Sequence, residues 1–304
     1  MPRVLITGVA GFIGSNLAVR LLREGYSVSG IDNLSYGVRE QVPDGVRFHK
    51  LDIRSKDIYP TFQKGDVVFH LAAKNSLADC QRDPVETMDI NVTGTANVFE
   101  AARLAGAKKV IYAQSSVVEE GDARLRGFYA ISKVANQWIA EGYRDAYGLV
   151  SVGLRYFNVY GPRQDYRRTN PPVMSKFIIT LLKNGTPILY DGDNDNKRDF
   201  VYVDDVNDFH LICINDDRVD NGWFRLGSGE SHSVEEIYKI IKEAIGVNPE
   251  REHLPRRDED PVTETLADIS DAKKLGWAPK TSIREGIDSM IAYIKEEIQK
   301  GNIG

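Results

Sequence analysis

The chain of 304 residues contains only two cysteines, Cys80 and Cys213. That is too few for a disulfide framework, so a reducing compartment, the cytoplasm, is expected. No apolar run approaches the ~20 residues needed to span a bilayer, which excludes a transmembrane helix. The sequence opens directly on a strand-like Val4-Leu5-Ile6, so no signal peptide is expected. Charge of one sign is not in large excess. With 39 Lys and Arg against 44 Asp and Glu, the net charge is −5, which argues against retention on nucleic acid or an anionic membrane by bulk electrostatics. The five histidines, His49, His70, His210, His232 and His253, lack paired metal-ligand spacing, and no metal site is expected. Internal repeats and low-complexity tracts are also missing. What remains, with 42% hydrophobic and 27% charged residues, is the composition of a folded, enzyme-sized chain.

The first half alternates short β-branched runs with helical stretches. Strands are expected over Val4–Thr7, Ser27–Asp32, Val46–Leu51, Val67–Leu71, Lys109–Ala113 and Val150–Phe157. Helices are expected over Gly14–Glu24, Asn91–Ala105 and Tyr129–Tyr147. This βαβα order predicts an α/β fold, a Rossmann-type doubly wound parallel sheet with helices on both faces. After Phe157 the texture changes. Gly161-Pro162, Asn170-Pro171-Pro172 and Asp191-Gly192-Asp193 punctuate the chain. A smaller α/β lobe is expected over 158–304, with helices at Val173–Lys183, Ser233–Ile245 and Ser282–Gln299. The apolar stretch 199–214 is expected to rejoin the first domain, 1–157.

Four groups of residues carry chemistry. Gly8, Gly11 and Gly14 lie between the first strand and the first helix. There, glycines permit a tight turn and close backbone approach, and a helix N-terminus offers free N–H groups to a dinucleotide pyrophosphate. Asp32 ends the second strand, where a carboxylate can bind the adenosine ribose hydroxyls and repel a 2′-phosphate, favouring NAD over NADP. It can equally cap the turn made by Asn33, Leu34 and Ser35. Arg39 is the one nearby residue that could complicate the cofactor choice, and Asp52 can edge the adenine. Tyr129 and Lys133, four apart on a helix, share a face. An ammonium there stabilises a phenolate and makes tyrosine usable as a base near neutral pH. Alone, that spacing is usually surface helix; downstream of two nucleotide signatures it reads as catalytic. Ser115 and Ser116 follow the fifth strand, at the sheet edge that faces the ligand crevice, where a serine can share a hydrogen bond with Tyr129 and a substrate hydroxyl.

Together with His70-Leu71-Ala72-Ala73, Asn91-Val92-Thr93-Gly94-Thr95, the run Arg155 to Gln164, Arg198 to Val206, Leu266-Ala267-Asp268 and Leu275-Gly276-Trp277, these residues resemble the extended short-chain dehydrogenase/reductase family. Within it they resemble the nucleotide-sugar 4-epimerases of the UDP-galactose 4-epimerase type. The resemblance runs over nearly the whole chain. It implies an NAD-dependent enzyme that inverts C4 of a UDP-hexose through a transient 4-keto sugar. Tyr129 would be the acid/base, Lys133 would bind the nicotinamide ribose and lower the tyrosine pKa, and Ser115 would complete the triad, with Ser116 in reserve. Cofactor contacts would come from Gly8, Gly11, Phe12, Ile13, Gly14, Asp32, Asn33, Asp52, Ile53, Leu71, Ala72, Ala73 and Tyr156. Substrate contacts would come from Ser76, Asn158, Val173, Lys176, Tyr190, Arg198, Arg257, Asp260 and Thr265, the arginines neutralising the diphosphate. In the resembled epimerases the position three before the aspartate of Leu-Ala-Asp borders the sugar C2 substituent. Here it is Thr265, small enough to admit N-acetylated sugars.

Two departures from the resembled pattern matter. Relatives that dehydrate or decarboxylate nucleotide sugars place an acid shortly after the catalytic serine or threonine, where Ser116 and Val117 stand here; a shift in register would bring Glu119 or Glu120 into play. The segment Ser116–Phe128 is also short, which opens the sugar pocket or leaves it to be walled by a neighbouring subunit. The competing functions are a nucleotide-sugar decarboxylase or dehydratase and, from another class, a non-catalytic NAD-binding scaffold. The resemblance further implies a homodimer through a four-helix interface built from Asn91–Ala105 and Tyr129–Tyr147, with Val92, Ala96, Phe99 and Trp138 as apolar material.

Overall fold

In the computed structural model, residues 3–119, 127–168, 171–255 and 264–303 are described. The chain forms two compact units: residues 1–156 with 207–225, and residues 157–206 with 226–304.

The first unit is built on β1 (Arg3–Thr7), α1 (Phe12–Arg23), β2 (Ser27–Asp32), β3 (Arg47–Lys50), β4 (Val67–His70), α2 (Leu77–Arg82), α3 (Pro84–Met88), α4 (Gly94–Ala105), β5 (Lys109–Ser115), α5 (Gly127–Tyr147) and β6 (Ser151–Tyr156). These six strands are parallel wherever they pair, as β2 does with β1 and β3, and β4 with β1 and β5. The strand order reverses at β1 and β4, the switch point at which doubly wound sheets open a ligand crevice. The strands are apolar on both faces because helices cover both: Leu5, Ile31, Val68 and Val110 are fully buried with Val98 and Phe99 of α4. The expected helix at Asn91 instead begins with a wide turn over Asp89–Thr93 and becomes regular at Gly94. A side chain at Gly94 would meet Ile53 at 2.6 Å, so the glycine lets the helix close down on the core.

The second unit contains β7 (Asn158–Tyr160), α6 (Val173–Leu182), β8 (Ile188–Tyr190) and β9 (Lys197–Tyr202). α7 (Val203–Asn215) then carries the chain back into the first unit, and β10 (Trp223–Leu226) joins the edge of the seven-stranded sheet beside β6. The remaining elements are β11 (Ser231–Ser233), α8 (Val234–Ile245), β12 (Glu252–Leu254), α9 (Ser270–Lys274) and α10 (Ile283–Gln299). The return segment is therefore 207–225 rather than 199–214. Residues 199–202 belong to β9, which pairs with β7 and β11 in a sheet of the second unit. Both α8 and α10 start at capping boxes, Ser233 with Glu236 and Ser282 with Glu285, in which each side chain satisfies a backbone N–H of the other end. With α6 they enclose a core of Phe177, Ile178, Ile237, Ile241, Ile287 and Met290.

Candidate active site

The glycine turn after β1 is built so that no side chain fits. Gly8 has φ +78°, and a Cβ there would lie 2.7 Å from the Ala72 nitrogen; a Cβ on Gly14 would lie 2.2 Å from the Gly8 carbonyl oxygen. The Gly8 carbonyl accepts from Gly11 N at 3.1 Å. Helix α1 begins at Gly11 with no side-chain cap and no acid in its first turn, leaving the N–H groups around Phe12, Ile13 and Gly14 and the positive dipole end for an anion. Asp32 caps the turn that follows it. Its carboxylate accepts from Leu34 N (2.8 Å), forming the turn, and from Ala10 N (3.0 Å), which aims it at the glycine loop. Burial raises its pKa against those two hydrogen bonds. Arg39 lies over the Phe48 ring, 4.9 Å from its centroid. Asn33 donates to Asp52 at 3.0 Å, and Asp52 pairs with Arg54, whose hydrogen bond holds the Asp52 pKa at about 2. Ile53 packs inward. Leu71, Ala72 and Ala73 follow β4 at the switch point, with Leu71 N and Ala72 N donating to Thr7. These residues fit a dinucleotide: a cradle that any Cβ would fill, an uncapped helix end, and a carboxylate at the tip of the second strand.

A buried polar chain ties this cradle to α5. His70 is flanked by Thr7 Oγ1 at its Nδ1 (2.8 Å) and Thr95 Oγ1 at its Nε2 (2.9 Å). The Thr95 hydroxyl donates to Asn91 O at 2.6 Å, so the imidazole carries its proton on Nε2 and accepts from Thr7. Burial, with the Lys133 charge, pushes its pKa down to about 3. Asn91 donates to Ser132 Oγ at 3.0 Å, and Ser132 Oγ donates to the Tyr129 carbonyl at 2.7 Å. Sequence reasoning missed Thr7, Asn91 and Thr95 as parts of one network, because they are polar residues spread over β1 and the α4 entry and only the fold joins them.

Tyr129 and Lys133 sit one turn apart on α5, the Lys133 Nζ 5.7 Å from the Tyr129 ring centroid. Lys133 is buried and donates to Ala113 O at 2.9 Å, while its carbonyl accepts from Gln114 at 3.0 Å. Burial lowers its pKa to about 8, opposed by Cys80, so at neutral pH it remains largely cationic. Ser115 closes β5 and accepts from Val117 N at 3.4 Å; Ser116 is buried. Ser76 caps α2. The Tyr156 hydroxyl is in hydrogen-bond contact with His210 Nε2 at 2.7 Å inside the core. Glu119, one of the two acids a shift in register would bring into play, forms ion pairs with Arg155 and Arg225; the other, Glu120, lies outside the described residues. Among the described residues no group of three His, Cys, Asp or Glu could hold a metal ion, and no helix is long and apolar enough to cross a membrane.

In the second unit, Asn158 and Thr265, 107 residues apart, meet at 3.5 Å between Nδ2 and Oγ1. Asn158 also donates to Asp199 O, and Thr265 Oγ1 accepts from Asp199 N at 3.2 Å. Thr265 is buried beside a parallel bridge between Lys197 and Glu264. Arg198 neighbours them on β9, Tyr190 ends β8, and Val173 and Lys176 lie in the first turn of α6. Arg257 and Asp260 lie outside the described residues. The residue that organises this region is one to which sequence reasoning assigned no role. Asp199, fully buried, accepts from Ser228 N and Oγ through one oxygen and from Gly229 N and Ala267 N through the other. An aspartate directly before the apolar run Phe200-Val201-Tyr202-Val203 was the available signal, since a buried carboxylate requires donors.

Residues 4–227 match the NAD dependent epimerase/dehydratase family. The chain is 34% identical to a UDP-glucose 4-epimerase of Mycolicibacterium smegmatis, over 98% of this chain and 100% of that protein. It is similar to the crystal structure of a Thermus thermophilus UDP-glucose 4-epimerase in complex with NAD, with TM-score 0.86, 34% identity, and 96% and 99% of the two chains covered. It is also similar to a UDP-N-acetylglucosamine 4-epimerase of Methanobrevibacter ruminantium in complex with UDP-N-acetylmuramic acid, with TM-score 0.90, 29% identity, and 97% and 99% covered. With a glycine cradle, a carboxylate at the tip of the second strand and a Tyr-Lys pair in one unit, and a family match over most of its length, the chain belongs to the NAD-dependent epimerase/dehydratase family.

Proposed function

We propose that the chain is a UDP-sugar 4-epimerase that binds NAD through its first unit and the nucleotide sugar through residues of its second. The observation that carries this reading is the placement of Tyr129 and buried Lys133 on α5, the ammonium 5.7 Å from the phenol ring, in the same unit as the glycine cradle. Bound NAD supplies a hydride acceptor and, once reduced, a hydride donor. Tyr129 takes the proton of the sugar 4-hydroxyl and returns it after the 4-keto sugar has turned. The Lys133 charge favours the phenolate over the phenol. Ser115 hydrogen-bonds the hydroxyl and keeps it aimed at Tyr129. Asn158, Arg198 and Arg257 anchor the diphosphate while the sugar rotates, and Thr265 borders its C2 substituent. The Asp32 carboxylate, with Arg39 laid on Phe48, supports NAD over NADP.

Two finer readings accompany this one. A homodimer forms through α4 and α5, which pack side by side through Phe99 and Tyr143 and leave Leu104, Trp138 and Tyr147 exposed. Phe99, by contrast, is fully buried in the core and contributes nothing to such an interface. The free, buried Cys80 and Cys213 suit the cytoplasm. Incubating the purified protein with UDP-glucose, UDP-galactose, their N-acetylated counterparts and UDP-glucuronate, and resolving the products by mass and by epimer, tests the function. Isomerisation at constant mass is expected; loss of carbon dioxide or water would replace it with the decarboxylase or dehydratase reading, and no reaction at all with the scaffold reading.

A further inference from the structure

Resting on that reading, we propose that Arg155 and Glu119 form a positioning pair that keeps the serine-bearing end of β5 in register with the Tyr129–Lys133 face of α5.

Arg155 lies on β6 directly opposite Gln114, one step before the Ser115–Tyr156 pair of the same ladder. Its side chain is buried and reaches three elements. One nitrogen pairs with Glu119, immediately after the short helical turn Ser116–Val118 that follows Ser115. Another donates to Gln137 on α5 at 3.1 Å, four residues beyond Lys133. The guanidinium plane lies 3.7 Å from the ring centroid of Trp223 on β10. Glu119 in turn holds Arg225 through both oxygens at 2.9 and 2.7 Å. On the other side of Ser115, Gln114 donates to the Lys133 carbonyl.

Ser115 is thus bracketed. The residue before it is tied to α5 at Lys133, and the residue four after it is tied to Arg155, which is itself tied to α5 at Gln137. The contacts close a ring through β5, α5 and β6, with the catalytic serine and lysine on it. A planar guanidinium can serve a carboxylate, an amide oxygen and an indole face at once; an ammonium on a flexible stem cannot. Neither Arg155 nor Glu119 is placed against sugar or cofactor, so removal of either should loosen the alignment of Ser115 with Tyr129 without removing a binding contact. A misplacement of that kind lowers turnover and leaves ground-state binding in place.

The test uses the full-length, NAD-loaded enzyme assayed well below its melting temperature. For Glu119→Gln and Arg155→Lys, kcat is expected to fall by about 10- to 100-fold, with the UDP-sugar KM and the bound NAD content within twofold of wild type. The double variant is expected to be no slower than Arg155→Lys alone, because the two residues act as a unit. Glu119→Asp, which keeps the carboxylate, is expected to recover part of the rate. A purely structural pair would give a lower melting temperature with wild-type kcat, and that result overturns the proposal. So does a loss confined to KM or to NAD content, or full additivity in the double variant. Wild-type enzyme that turns over no UDP-sugar overturns the proposed function and this inference with it, whereas active wild type with equally active variants overturns this inference alone.

Discussion

The two units secure their key side chains by different means. In the first, backbone does much of the work: Gly8 and Gly14 leave no room for a Cβ, and a buried chain from Thr7 through His70, Thr95 and Asn91 to Ser132 fixes α5 against the sheet. In the second, one carboxylate, Asp199, gathers two loops, at Ser228–Gly229 and at Ala267, while Asn158 and Thr265 hydrogen-bond to its backbone. The residues proposed for catalysis sit on the long elements β5 and α5. Of the residues proposed to contact substrate, Asn158 and Tyr190 sit on the three-residue strands β7 and β8 and Arg198 near the start of β9, where a single side chain can be exchanged with local consequences. A unit of the first kind resists change; one of the second kind can vary its ligand.

Five changes sharpen or break that contrast. Tyr129→Phe should cost well over ~10²-fold in turnover while retaining NAD, since only a positioned acid/base is lost and the ring still packs; steady-state kinetics with cofactor quantification reads this, and near-normal activity refutes the role. Gly14→Ala drives a methyl to 2.2 Å from the Gly8 oxygen. Overpacking of about 1–3 kcal/mol there should appear as ~10- to 100-fold weaker NAD binding in a reconstitution titration. Asp199→Asn turns one acceptor into a donor facing backbone N–H groups. It should destabilise the second unit by about 2–3 kcal/mol, with NAD binding by the first unit preserved; chemical denaturation followed alongside NAD retention separates the two, and a loss shared equally by both units breaks the contrast.

The fourth concerns acid. Burial holds both His70, where the Lys133 charge adds to the effect, and His210 at pKa values of about 3, below the ordinary 6.5. Between those values the unfolded chain binds more protons than the folded one. Stability should therefore be intact above about pH 6.5 and fall as the pH drops toward 3, by up to about 1.4 kcal/mol per pH unit for each histidine. Both histidines belong to the first unit, so its melting should show the steeper acid dependence. The smallest effect is expected at Thr265→Tyr: a selective loss of about tenfold on N-acetylated sugars, measured against UDP-glucose and UDP-galactose. Because Thr265 is buried and hydrogen-bonded to Asp199 N, a melting curve must accompany the assay. Equal loss on all four sugars would show repacking rather than a gate.

The sequence by itself determined the parallel α/β architecture, the glycine turn, the aspartate at the tip of the second strand and the Tyr129–Lys133 pair. Each of these is a local matter of helical or strand period, of a residue at a strand tip, or of two residues one turn apart. The tertiary structure decided what depends on distant segments meeting. It sent Phe99 to the core and left Trp138 exposed on the neighbouring helix. It moved the return segment to 207–225 because 199–202 found partners in another sheet. It gave Glu119 two arginines from other strands. It set Thr265 against Asn158 across 107 residues through the bridge at Lys197. Local periodicity is written in neighbouring residues, whereas the pairing of remote strands is fixed only when their side chains compete for the same buried donors and volume.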